Sequence, residues 1–180
     1  MANETKVITG KVKFSFCNVW VPKSINGGDA KYSVSLIISK KDKETLEKIN
    51  AGIKEAEKAG IAKHGAKFTS GAGFKRPLRD GDVDRSDDEN YLDCYFVNAN
   101  SATKPGVVDK NRDVILDSTE VYSGCYGRAS ITFYPFNTNG NRGVACGLQN
   151  LQKLADGEPL GGRSRAEDDF DSYENDDFLS

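Results

Sequence analysis

Four stretches of this chain alternate apolar and polar residues with a period of two, and only one stretch repeats with the period of a helix. Successive side chains of a strand point to opposite faces, so each alternating stretch predicts a strand buried on one side. From Val7 to Trp20, Ile8, Val12, Phe14, Phe16 and Trp20 fall on one face and Thr9, Lys11, Lys13, Ser15 and Cys17 on the other. From Lys31 to Ile38, Tyr32, Val34, Leu36 and Ile38 alternate with Lys31, Ser33, Ser35 and Ile37. Tyr91 to Asn100 sets Leu92, Cys94, Phe96 and Asn98 against Tyr91, Asp93, Tyr95 and Val97. Gly127 to Phe136 sets Ala129, Ile131 and Phe133 against Arg128, Ser130, Thr132, Tyr134 and Phe136.

The connections between these runs narrow the architecture. Pro22 and the Ile25-Asn26-Gly27-Gly28-Asp29 turn join the first two as a hairpin with a long loop. Ser39 and Asp42 resemble a capping box, after which Leu46, Ile49, Ile53 and Ala56 recur on one helical face until Gly60. From Ile61 to Asn90 the chain is rich in Gly, Lys and Asp without sustained periodicity, which predicts a long irregular insertion. Val107-Val108 and Val114-Ile115-Leu116 are short extended pieces, and the turn Asn137 to Asn141 leads to a closing strand, Val144 to Leu148. Five or more short strands with one helix predict a mainly β fold, an OB-like Greek-key barrel. Residues 1–160 form the domain; residues 161–180 add a Gly-rich linker and an acidic tail too poor in apolar residues to fold alone.

Several chemistries lack their residues. There is a single histidine, His64, and the cysteines 17, 94, 125 and 146 form no C-x-x-C pair, so no standard zinc spacing exists. Each cysteine sits among strand-like apolar residues, which predicts reduced, buried thiols and a cytoplasmic protein, in keeping with the lack of a signal-peptide pattern or apolar span. Asp80-x-Asp82-x-Asp84 begins like a calcium loop, but Arg85 stands where the glycine belongs and Tyr91 where the bidentate glutamate belongs. Gly71-x-Gly73-x-x-Arg76 lacks the third glycine of a dinucleotide site, and there is no P-loop. No catalytic constellation, metal site or cofactor is expected.

Charge is divided along the chain. The net charge of −2 combines a tail, residues 166–180, that holds seven acids and no base with a body that holds all 25 Lys and Arg. Within the body, Asp80 to Asp93 contains seven acids and one base, Arg85, so the remaining surface is strongly basic. A basic body with a detachable acidic tail suits an anionic polymer as partner, with the tail competing for the same surface.

Bases and aromatics are interleaved. Lys11, Lys13 and Trp20 share the first run; Phe74, Lys75 and Arg76 are consecutive; Tyr126 and Arg128 lie together; and Tyr134 and Phe136 precede Arg142. Unpaired bases stack on aromatic faces while Lys and Arg follow the phosphates, so this mixture points to single-stranded nucleic acid. The alternation assigns Phe14, Phe16, Phe96 and Phe133 to the core. Lys11, Lys13, Lys75, Arg76, Arg128 and Arg142 are therefore the candidate phosphate ligands, and Trp20, Phe74, Tyr95, Tyr126 and Tyr134 the candidate stacking faces.

Longer stretches carry a resemblance. Lys31-Tyr32-Ser33-Val34-Ser35-Leu36-Ile37-Ile38, Gly73-Phe74-Lys75-Arg76-Pro77-Leu78-Arg79-Asp80-Gly81, Phe96-Val97-Asn98-Ala99-Asn100-Ser101 and Gly124-Cys125-Tyr126-Gly127-Arg128-Ala129 resemble a family of phage single-stranded DNA-binding proteins. Tyr134-Pro135-Phe136 and Gly147 to Lys153 extend the likeness over most of residues 5–160. It implies an OB-fold binding single-stranded DNA with little sequence preference in phage DNA replication, recombination or repair, inside the host cytoplasm. It also implies that Asp176, Asp177 and Phe178 in the acidic tail dock on replication or recombination proteins and compete with DNA. Two other classes remain open: an interaction protein with weak DNA binding, and a metal-dependent nuclease using Asp80, Asp82 and Asp84.

Overall fold

A computed structural model describes residues 5–24, 28–139, 141–160 and 170–172. The alternating runs form strands whose pairing closes a barrel. In chain order the strands are β1 (Lys6–Ile8), β2 (Val12–Lys23), β3 (Lys31–Ser39), β4 (Phe74–Lys75), β5 (Leu78–Asp80), β6 (Cys94–Ser101), β7 (Gly106–Val108), β8 (Tyr126–Thr138) and β9 (Asn141–Ala155), and the helices are α1 (Lys43–His64) and α2 (Gly81–Asp84). β2 pairs with β3, and β3 with β6 in eight consecutive antiparallel pairs from Tyr32↔Ser101 to Ser39↔Cys94. β8 and β9 form a long antiparallel hairpin from Tyr126↔Ala155 to Thr138↔Asn141. Two short seams join these halves into a ring: Val12↔Gly127 with Lys13↔Tyr126 on one side, and the parallel pair Asn100↔Gly147 on the other.

The core fills the ring. Phe14, Leu36, Ile38, Val97, Ala129, Ile131, Phe133 and Leu148 are all buried within it. α1 closes the barrel against β1 and β8 by burying Ile49, Ile53 and Ala56. Gly52 lets the helix come close, because a Cβ there would lie 2.9 Å from both the Phe133 ring and Val7. Asp42 caps the helix by accepting from the Thr45 backbone N–H at 3.2 Å. The helix passes Gly60, where the sequence suggested a stop, and ends at Gly65, whose φ of 102° suits glycine. Gly60 is needed for packing instead: a Cβ there would overlap the Phe68 ring.

Three further expectations are corrected. Residues 61–90 are ordered as the end of α1, a 3-10 turn at Ala66–Thr69, β4, β5 and α2, with a second 3-10 turn at Glu89–Tyr91. β6 is buried on both faces, since Val97 and Ala99 enter the main core while Phe96 joins Ile37 and Tyr91 in a small second core on the outer face. The alternation of the first run also fails at its start and past its middle. Val7 and Thr9 are buried while Ile8 is 50% exposed, and Phe16, assigned to the core, is 53% exposed. The register of β2 against β3 shifts between Ser15 and Asn18, and Phe16 has φ 46°, so a bulge reverses the phase of the strand at this residue.

Candidate nucleic-acid interface

The outer face of β2, β3 and β6 carries small and polar residues. Ser35 stands opposite Ser15 on one side and Asn98 on the other, and Ser33 opposite Asn18 and Asn100. Short side chains leave the sheet uncovered, and a groove of about 560 Å³ opens above them. Phe16 projects into it because of the bulge. Lys23, Gly28, Asp29 and Lys31, from the β2–β3 connection, line it together with Arg85 from the insertion. Two lysines and a guanidinium make the rim attractive to phosphate, and Phe16 supplies an apolar face.

The wall that carries Arg85 is held by its own acids. Asp80 and Asp82 both grip Lys40 Nζ, at 2.9 and 2.7 Å, and Asp82 also accepts from the Asp93 backbone N–H at 2.9 Å. The hydrogen bond from Lys40 holds the Asp82 carboxyl below its ordinary pKa, and the same two carboxylates raise that of Lys40. Arg79 pairs with Asp84 at 3.1 Å. Asp88 accepts from the Asn90 backbone N–H at 3.0 Å. Tyr91 anchors the whole segment: it is fully buried, its hydroxyl donates to Ser35 Oγ at 3.0 Å, and its ring meets Phe96 edge-on at 5.0 Å. Asp80, Asp82 and Asp84 are thus engaged by cations of the chain, and among the described residues no three His, Cys, Asp or Glu side chains converge as metal ligands would.

Arg85 itself makes no ion pair among the described residues. Its guanidinium carbon lies 5.3 Å from the centre of the Phe16 ring and 5.7 Å from those of Tyr91 and Phe96. These are cation–π distances, and they place a planar cation directly across the mouth of the groove from the exposed ring.

The residues singled out from the sequence lie elsewhere. Lys11 and Lys13 gather over Tyr126, at 5.3 and 5.7 Å, on the seam between β2 and β8. Arg128, on β8, donates twice to Gln152 Oε1. Tyr134 is 43% exposed and Lys75 is exposed. Tyr95 is half-buried under Lys40, whose Nζ lies 5.1 Å from the ring centre. Two assignments are corrected. Phe74 is buried, edge-on to Phe68 at 5.4 Å, and offers no stacking face. Arg142 donates to the carbonyls of Phe68 (2.8 Å) and Ser70, so it ties down the Ala66–Thr69 turn rather than facing solvent. The Trp20 indole is half-buried against the main core, donates to the Val121 carbonyl at 3.1 Å and has Lys104 Nζ 5.2 Å from its ring centre. Arg76 pairs with Glu57 at 3.3 Å. None of these residues lines the Phe16 groove. The tail residues Asp176, Asp177 and Phe178 lie outside the described residues.

The four cysteines are free thiols. Burial raises the Cys17 thiol to about 12 and pushes Cys146 up as well, so neither is a ready nucleophile.

The comparisons with known proteins agree with this architecture. The sequence profile of a family described as the ssDNA-binding protein of Enterobacter phage Enc34 matches residues 5–179. Putative protein p50 of Acyrthosiphon pisum secondary endosymbiont phage 1 is 30% identical over 173 residues, 92% of each chain. Among solved structures, the single-stranded DNA-binding protein of bacteriophage Enc34 in complex with ssDNA superposes with a TM-score of 0.76 at 21% identity, over 87% of this chain and 90% of that one. The single-stranded DNA-binding protein encoded by bacteriophage T7 superposes with a TM-score of 0.65 at 15% identity, over 97% of this chain and 98% of that one. The shared fold is the OB-like barrel with one main helix.

Proposed function

Because the chain belongs to the family of the single-stranded DNA-binding protein of Enterobacter phage Enc34, we propose that it binds single-stranded DNA, with little sequence preference, across the Phe16 groove. The family is described by binding alone, and the chain is not an enzyme. Phe16 carries the reading. An aromatic residue in the left-handed region costs about 1–2 kcal/mol, and here that cost holds an apolar ring out toward solvent among Lys23, Lys31 and Arg85. A stacked base is the natural occupant of such a ring, and phosphates of the neighbouring lysines. Lys11, Lys13, Lys75 and Arg128 remain on the surface as further phosphate contacts in this reading.

The same reading gives the chain a role in phage DNA replication, recombination or repair in the host cytoplasm. It divides the chain into a binding domain, residues 1–160, and a linker with an acidic tail, residues 161–180. The tail, with seven acids and no base beyond Arg165, is proposed to compete with DNA for the basic surface and to dock partner proteins through Asp176, Asp177 and Phe178.

Fluorescence anisotropy of labelled oligo-dT, titrated at several salt concentrations, tests this. The expected result is salt-sensitive binding by the full chain that tightens in a chain ending at Arg165. Absence of binding by both at low salt would overturn the assignment, and equal affinity of the two would overturn the role of the tail.

A further inference from the structure

The groove holds more than a ring and a rim of charge. On its floor Asn98 and Asn100 make no side-chain hydrogen bond among the described residues, although both line the cavity beside Phe16. Above it, Arg85 faces Phe16 at 5.3 Å and makes no ion pair among the described residues, although it sits in a segment with seven acids. A guanidinium is planar and stacks on aromatic faces much as a nucleobase does. In the free protein, Arg85 therefore covers the position that a base stacked on Phe16 would take.

We infer that Arg85 and Phe16 are the two jaws of a clamp for one unpaired base, with the amides of Asn98 and Asn100 presented to its edge. The inference rests on the single-strand reading above and names what its groove selects. A base entering between the jaws exchanges the Arg85–Phe16 contact for one stack on each of its faces. Phe16 is held by its strand, whereas Arg85 reaches across on a long side chain from the end of α2, so the clamp opens by a shift of the Arg85 side chain along the Tyr91 and Phe96 rings. Each amide carries both a donor and an acceptor and can turn end for end, so it can satisfy the edge of any base. The subsite therefore requires a base yet reads no particular one. A phosphate site would behave oppositely, since it needs charge and is indifferent to whether the sugar carries a base.

Arg85→Lys separates the two, because it keeps the charge and removes the plane. The full chain, Arg85→Lys, Phe16→Leu and the double variant are titrated with oligo-dT and with an abasic tetrahydrofuran-phosphate oligomer of equal length, with thermal unfolding recorded for each. Arg85→Lys should weaken oligo-dT binding by about two- to thirtyfold, the range of one cation–π contact, with an unchanged salt slope. On the abasic strand it should match the wild type. The double variant should be little weaker than Phe16→Leu alone, because a clamp with one jaw gone gains nothing from the other. Unchanged oligo-dT affinity of Arg85→Lys, an equal loss on both strands, or losses that multiply in the double variant would each overturn the clamp and leave the groove as a binding surface. Wild-type protein that bound neither strand would overturn the single-strand reading itself, and the clamp with it.

Discussion

Phe16 shows how one backbone angle can allocate a side chain to function. Its neighbours Phe14 and Ser15 are buried, and by strict alternation Phe16 would follow Phe14 into the core. The bulge turns it outward instead, at a local conformational cost that glycine would not incur. Two substitutions should therefore diverge. Phe16→Gly should leave the melting temperature unchanged or raise stability by up to about 1 kcal/mol, while weakening oligo-dT binding by about 1–3 kcal/mol, the worth of one stacked base. Phe14→Ala, by contrast, should cost about 3–5 kcal/mol in chemical denaturation, because it empties a fully buried site. The lysines at the rim act through charge alone. Replacing Lys23 and Lys31 together by alanine should flatten the salt dependence of binding by up to about 1.4, at about 0.7 per phosphate contact on a single strand, and leave unfolding untouched.

At the scale of elements, what could be read in the sequence was what repeats locally. β8 and the first turns of α1 declare themselves because their periods of two and 3.6 run unbroken, and β3 does so up to Ile37. The Phe16 groove was hidden for two reasons. A bulge leaves no mark in a pattern of apolar and polar residues, so the phase past Ser15 was read the wrong way. The insertion that supplies Arg85 also takes its order from distant partners: Lys40 binding Asp80 and Asp82, and Tyr91 seated under Ser35 and against Phe96. Composition showed only a hydrophilic loop there. The serines and asparagines at positions 33, 35, 98 and 100 were the available signal, since a sheet face this polar and this short in side chain leaves room for a ligand. The insertion should also respond to pH separately from the barrel. The depressed pKa of Asp82 means that its bond to Lys40 stabilises the segment above the ordinary carboxylate range and is lost as pH falls through the depressed value. The protection factors of amides at residues 81–93, each taken against the intrinsic exchange rate at its pH, should accordingly fall on acidification before those of the core strands, and Lys40→Ala should lower them at neutral pH. Gly81→Ala should loosen the same segment by about 1–3 kcal/mol, because its methyl group would collide with the Tyr91 and Cys94 carbonyl oxygens.

At the scale of the whole molecule, the ring is two plates joined by narrow seams. One plate is β2–β3–β6, which carries the groove, and the other is the β8–β9 hairpin. The seam at Asn100↔Gly147 is one residue pair wide, and Asn100 is also part of the groove floor. A DNA strand lying over Asn100 would therefore rivet the ring at its narrowest weld. Ligation should slow amide exchange along β6, which lines the groove, and also in the middle of β9, which does not, more than at the β8–β9 hairpin tip. The barrel would then report its own occupancy as rigidity, carried past the groove into the middle of β9.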